Sequence, residues 1–202
     1  MTESEASGPI DRNLKDEDLR ARAGSLGMWL FLLALSMLFG ASILGYGLIR
    51  FTGTSQASRG LIHLPIALYF STAIIIISSF TFHRAIVSAR QDHQRALRAW
   101  LATTLLLAIA FIAVQAPALW IVLRRHYVLR AQDIGIYGLI FFLILLHALH
   151  VIGGLVALVQ VNRKAAVGAY QHRSIAPLRH AALYWHFLDI IWLAMFTILM
   201  LS

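Results

Sequence analysis

The 202-residue chain is 59% hydrophobic and only 13% charged, too apolar for a water-soluble domain of this length, so its class is an all-α polytopic membrane protein. A net charge of +8 does not indicate nucleic acid, because the basic residues stand singly between apolar runs instead of clustering on one face. The lack of cysteine excludes disulfides and thiolate ligation.

Residues 1–25 are too acidic and polar for a secretory signal, with Glu3, Glu5, Asp11, Asp16, Glu17 and Asp18 ahead of the first apolar run. They are expected to form a cytoplasmic polar tail in which Asp16–Arg22 makes a short surface helix and the preceding residues are disordered. The rest, 26–202, is expected to form a five-helix transmembrane domain. An apolar helix of about 20 residues crosses the ~30 Å hydrocarbon layer, and the expected spans are about 26–49, 64–82, 99–123, 134–161 and 181–201. Trp29 stands near the start of the first span, where an interfacial aromatic anchor belongs. The second opens with Pro65 in its first turn, where a missing N–H is tolerated, and carries Ser71, Thr72, Ser78, Ser79 and Thr81, hydroxyls suited to packing between helices. His83–Arg98 is expected to be a polar loop. The third span holds Pro117 and Gln115, and Arg124–Asp133 is expected to be the loop that follows.

The fourth span contains His147-Ala148-Leu149-His150-Val151-Ile152-Gly153-Gly154, with two histidines at i and i+3 on one face and two small residues that permit close helix approach. The fifth contains Tyr184-Trp185-His186-Phe187-Leu188-Asp189-Ile190-Ile191-Trp192. Asp189 is the acid placed inside a span, where a charged Asp costs roughly 2.5–3.5 kcal/mol and calls for a partner within the protein. His186, one turn earlier, is the near partner in sequence. His150 lies at a matching depth on the fourth span, so a His150–Asp189 bond across the two helices is expected as structural glue. Proton relay and haem or metal ligation by His147, His150 and His186 are the alternatives that these residue types allow. The histidines at 63, 83, 93, 126, 172 and 180 read as loop or boundary residues.

Five spans place the termini on opposite sides of the membrane. Counting Lys and Arg, the tail and the second and fourth connections carry twelve, against five in the first and third. The positive-inside rule therefore puts the N-terminus in the cytoplasm and the C-terminus outside.

The motifs at 147–154 and 184–192 closely resemble the signatures of subunit III of the haem–copper respiratory oxidases, in its five-helix prokaryotic form. Gly27-Met28-Trp29-Leu30-Phe31, Ser78-Ser79-Phe80-Thr81 and Gln115 resemble further parts of the same pattern, which runs through residues 26–200. The resemblance implies a non-catalytic accessory subunit of the respiratory electron-transport chain in the prokaryotic cell (inner) membrane. It implies no cofactor in this chain, with haem and copper held by subunit I. Subunit I would be the main partner, with subunit II and other small subunits nearby, bound phospholipid in the bundle and no nucleic acid. Support of proton uptake is part of the family's role. The residues Trp29, Gln115, His147, His150, Gly153, Gly154, Trp185, His186, Asp189 and Trp192 are the structural or lipid-site candidates. The chain departs from the family at acidic positions, with Leu35, Ala118 and Arg179 where glutamates are usual, which favours a scaffold and lipid site over a proton donor. A subunit III-like partner of a nitric oxide reductase or related respiratory complex is an alternative from the same motifs. A self-sufficient membrane haem or metal protein is another.

Overall fold

A computed structural model describes residues 9–52, 66–129, 134–168, 170 and 175–201. It contains α1 (Pro9–Thr52), α2 (Ile66–Arg90), α3 (Gln94–Leu129), α4 (Ile134–Ala166) and α5 (Ala176–Leu201), and no strand among the described residues. All five helices contain a stretch long and apolar enough to cross a membrane: Arg22–Gly45, Ile66–Arg90, Gln94–Ile121, Phe141–Ala166 and Ala176–Ile198. The protein is thus a multi-pass, all-α membrane protein. Pro65, His63, His172 and the expected loop between the first two spans beyond Thr52 lie outside the described residues.

The helix ends depart from the sequence expectation. The helix expected at Asp16–Arg22 begins at Pro9 and runs without a break into the first span, with proline in a first position that suits its fixed φ and missing N–H. Most of His83–Arg98, expected to be a loop, is helical, and the turn between α2 and α3 narrows to residues 91–93. Asp92 adopts a left-handed backbone (φ 55°). Its N–H donates to Ala89 O (3.3 Å), and that of His93 donates to Ser88 O (3.0 Å), the paired bonds that close a helix C-terminus around a left-handed residue. Likewise α3 continues through Arg124 to Leu129. Basic residues do not end a helix: their apolar stems lie along its surface. The Arg84 guanidinium sits 5.8 Å from the Trp100 ring across the α2–α3 turn, and that of Arg124 sits 5.3 Å from Trp120. At the far end of α4, Gly168 takes φ 73° and donates to Ala165 O at 3.1 Å. Tyr170 beyond it is buried, and that burial pushes its phenol above the ordinary value.

The chain divides into two compact units, Met1–Met37 and Leu38–Ser202. Within the first lies the N-terminal part of α1, on which the Trp29 side chain is exposed. Within the second, α2 packs on α3, α3 on α4, α4 on α5, and α5 returns to α2. The interior holds Phe39, Phe82, Phe111 and Trp192, while Phe70, Ile76 and Phe80 of α2, Leu106 of α3, Leu149 and Ile152 of α4 and Ile190 of α5 are exposed. So large an outward apolar surface has a cost in water and none in hydrocarbon. The α4–α5 contact depends on small residues: a Cβ on Gly154 would stand 2.9 Å from Leu188 Cδ1 and 3.4 Å from the Trp185 ring, and one on Gly153 3.3 Å from the Tyr184 hydroxyl.

Candidate functional site: a polar seam inside the helix bundle

Asp189 is buried on the inner face of α5. Its nearest basic group is His186, with Nδ1 3.7 Å from Oδ2, too long for a hydrogen bond. The same Nδ1 lies 2.5 Å from Ser79 Oγ on α2. Serine and acid therefore compete for one ring nitrogen. A nucleophilic triad uses both nitrogens, one toward the hydroxyl and one toward the acid, so this trio holds α2 to α5 and does not activate Ser79.

The expected bond between His150 and Asp189 is not formed. His150 donates from Nδ1 to the Leu146 carbonyl of its own helix at 2.7 Å and meets the edge of Phe39 at a ring separation of 5.4 Å. Depth along the helix was the right guide, but rotation about its axis was not. His147 and His150 differ by about 60° around α4, and it is His147 that turns inward, 2% exposed. Its ring lies 5.4 Å from that of Trp192 at 31°, and neither of its nitrogens has a hydrogen-bond partner in the chain. His147 and Asp189 line one small cavity together with Trp185 and Trp192.

Each contact around the ring of helices carries at least one polar tie. Between α2 and α3, Ser71 Oγ meets Gln115 Oε1 at 2.5 Å and Thr81 Oγ1 meets Thr104 Oγ1 at 2.9 Å. Ser71 also donates to Leu68 O at 2.9 Å, and one hydroxyl proton cannot serve two acceptors. Turning the Gln115 amide end for end resolves this, because Nε2, otherwise buried without a partner, then donates to Ser71 Oγ. Between α3 and α4, Asn162 Nδ2 donates to Leu101 O at 3.2 Å and to Leu158 O at 3.0 Å. The Tyr184 hydroxyl of α5 donates to His150 O on α4 at 3.0 Å. Trp192 Nε1 donates to Thr72 Oγ1 on α2 at 3.1 Å, and Trp192 also packs against Phe111 of α3.

Of the sequence candidates, the structure brings together Gln115, His147, Trp185, His186, Asp189 and Trp192, with Gly153 and Gly154 as the clearance for α5. His150 contributes its carbonyl instead of its ring. Trp29 belongs to the first unit. Sequence reasoning missed Thr72, Ser79, Thr104, Asn162 and Tyr184 as the specific partners. Their signal is a single polar group within an apolar helix, which must be satisfied by its own backbone or by a neighbour. At the departures from the family pattern, Ala118 is buried one turn after Gln115, while Arg179 is exposed in the first turn of α5. Among the described residues no group of three or more His, Asp or Glu is arranged to hold a metal ion.

A closed ring of apolar helices tied by an internal polar seam defines an integral membrane helix bundle. Residues 22–201 match the family described as cytochrome c oxidase subunit III, and the chain belongs to that family. It is 29% identical over 181 residues to cytochrome bo(3) ubiquinol oxidase subunit 3 of Pseudomonas aeruginosa, covering 87% of this chain and 83% of that one. A probable quinol oxidase subunit 3 of Staphylococcus saprophyticus is 30% identical over 188 residues, covering 89% and 90%. A probable cytochrome c oxidase subunit 3 of Mycobacterium leprae is 30% identical over 131 residues, covering 63% and 62%.

This geometry separates real from absent pairings. In double-mutant cycles scored by thermal unfolding of the detergent-solubilised protein, Trp192→Phe and Thr72→Val are expected to couple by about 0.6 kcal/mol, up to about 1.7. His150→Phe and Asp189→Leu are expected to add within about 0.5 kcal/mol, as residues without a shared bond do. A His150–Asp189 coupling above that would contradict the arrangement.

Proposed function

We propose that this oxidase subunit III is the non-catalytic accessory subunit of a haem–copper terminal oxidase of aerobic respiration, seated against the catalytic subunit I in a prokaryotic inner membrane. The observation that carries the reading is the match over residues 22–201 to the subunit III family. The site supports it. Several inward polar groups are spent on neighbouring helices: His186 on Ser79, Trp192 on Thr72, Gln115 on Ser71. A bis-histidine haem needs its two ligands on opposed sides with a cleft between them. Here His147 and His150 stand one turn apart on the same helix, so they do not flank one haem from opposed sides. Haem and copper belong, on this reading, to subunit I, with subunit II and smaller subunits alongside.

The exposed apolar faces of α2 and α4 face acyl chains, with phospholipid held at grooves between helices. Scaffold and lipid site are the roles that remain where the family acids are replaced by Leu35, Ala118 and Arg179. Any support of proton uptake then runs without those carboxylates. The N-terminal tail, residues 1–25, lies in the cytoplasm with the helix ends that meet between α2 and α3 and between α4 and α5, since residues 1–25, 83–98 and 163–180 hold twelve of the 17 Lys and Arg.

Two experiments test the proposal. A tagged chain drawn from its native membrane in mild detergent is expected to bring a haem-bearing, many-helix subunit with it and to be colourless once that subunit is stripped away. Haem retained by the isolated chain would overturn the assignment. For orientation, the chain has no native cysteine, so a single Gln91→Cys variant reports its own position. It is expected to resist a membrane-impermeant maleimide in intact cells and to react after lysis, and labelling in intact cells would reverse the topology.

A further inference from the structure

The polar groups that hold α5 to α2 are not all sealed inside the bundle. In the span Ala176–Ile198, His186 follows Ala176 by ten residues and precedes Ile198 by twelve. At ~1.5 Å per residue it lies about 15 and 18 Å from the two ends, near the middle of the span, yet 35% of its side chain is exposed. Its Nδ1 is engaged by Ser79 Oγ and stands 3.7 Å from Asp189 Oδ2. Its other nitrogen, Nε2, makes no hydrogen bond with the described residues and is open to the surface.

The carboxyl group decides what Nε2 offers. A lone pair on Nδ1 would face the lone pairs of Oδ2, so the ring proton is favoured on Nδ1, where it donates to Ser79 Oγ. A neutral imidazole then presents Nε2 outward as an acceptor. Water is absent at this depth, and a polar atom left unmet in hydrocarbon costs several kcal/mol. Acyl chains carry no donor. Ile190 and Leu193, four and seven residues after His186, share its face of α5 and are exposed. Two turns of apolar surface around a single acceptor suit another helix, since polar side chains hydrogen-bond between helices in membranes and helices are recognised at this i, i+4, i+7 spacing.

Resting on the oxidase assignment above, we propose that this face of α5 docks a transmembrane helix of another subunit of the complex. That helix donates a hydrogen bond from a hydroxyl, amide or indole group to His186 Nε2. Asp189 then acts at one remove, by fixing which ring nitrogen faces the partner.

The test uses the full chain in its native membrane. With photoreactive benzoylphenylalanine replacing Ile190, irradiation is expected to join the chain to another subunit of the oxidase. Adducts with lipid alone, or with a second copy of this chain, would overturn the docking. His186→Asn and His186→Gln separate the two ring nitrogens, because the Asn amide stands where Nδ1 stood and the longer Gln amide reaches the place of Nε2. The share of folded chain retained by the complex through a detergent wash is expected to fall roughly threefold for Asn, the effect of one interhelical hydrogen bond in a membrane, and to stay near native for Gln. Equal losses, or a larger loss for Gln, would refute the bond to Nε2. If no haem-bearing subunit accompanies the chain, the oxidase assignment and the docking fall together; if it does and Ile190 labels lipid alone, only the docking falls.

Discussion

In hydrocarbon no solvent stands ready to accept or donate a hydrogen bond, so each polar side chain placed within a span must find its partner inside the protein. The bundle formed by Leu38–Ser202 is arranged around that requirement. Apolar contacts alone give little preference between one helix pairing and another, because lipid tails are as apolar as the side chains they replace. The discriminating groups are polar. Thr72 accepts from Trp192, Thr81 meets Thr104, Asn162 reaches Leu101 O, and Tyr184 reaches His150 O. Each bond is of modest strength, yet together they fix which helix follows which around the ring and at what height.

Asp189 is the most demanding member of this set. It is tolerated because α5 carries its own basic group one turn away and because the helix beside it is cut back to Gly153 and Gly154, letting Trp185 and Leu188 press close to α4. Close packing excludes lipid from the carboxyl group, and exclusion raises the value of each neighbouring dipole. Within the seam, His186 ties α5 to α2 through Ser79, while the His150 ring is spent on the backbone of its own helix.

The five spans were legible in the sequence because a run of about 20 apolar residues is a strong, local signal. Their ends were not. Residues such as Arg84, His93 and Arg124 raise polarity without opposing a helix, and the turn between α2 and α3 rests on three backbone bonds around Asp92 that hydropathy does not register. The site was half legible. Asp189, His186, Trp192 and Gln115 stood out as polar or aromatic groups inside spans, and all four lie in the seam. The choice between His147 and His150 was lost, since a rotation of about 60° separates them and that is smaller than the uncertainty in where a helix begins. The partners on α2 and α3 depend on three-dimensional pairing, and serines and threonines are too common in spans for any one to announce its role.

On the proposed function, this chain supports an oxidase without carrying any of its redox centres. The most direct measurement compares the terminal oxidase purified from membranes with and without the chain, recording haem content per catalytic subunit alongside thermal disassembly. Haem content and spectrum are expected to be unchanged, with disassembly at a lower temperature when the chain is missing. A complex that loses haem in proportion to the missing subunit, at undiminished stability, would contradict it.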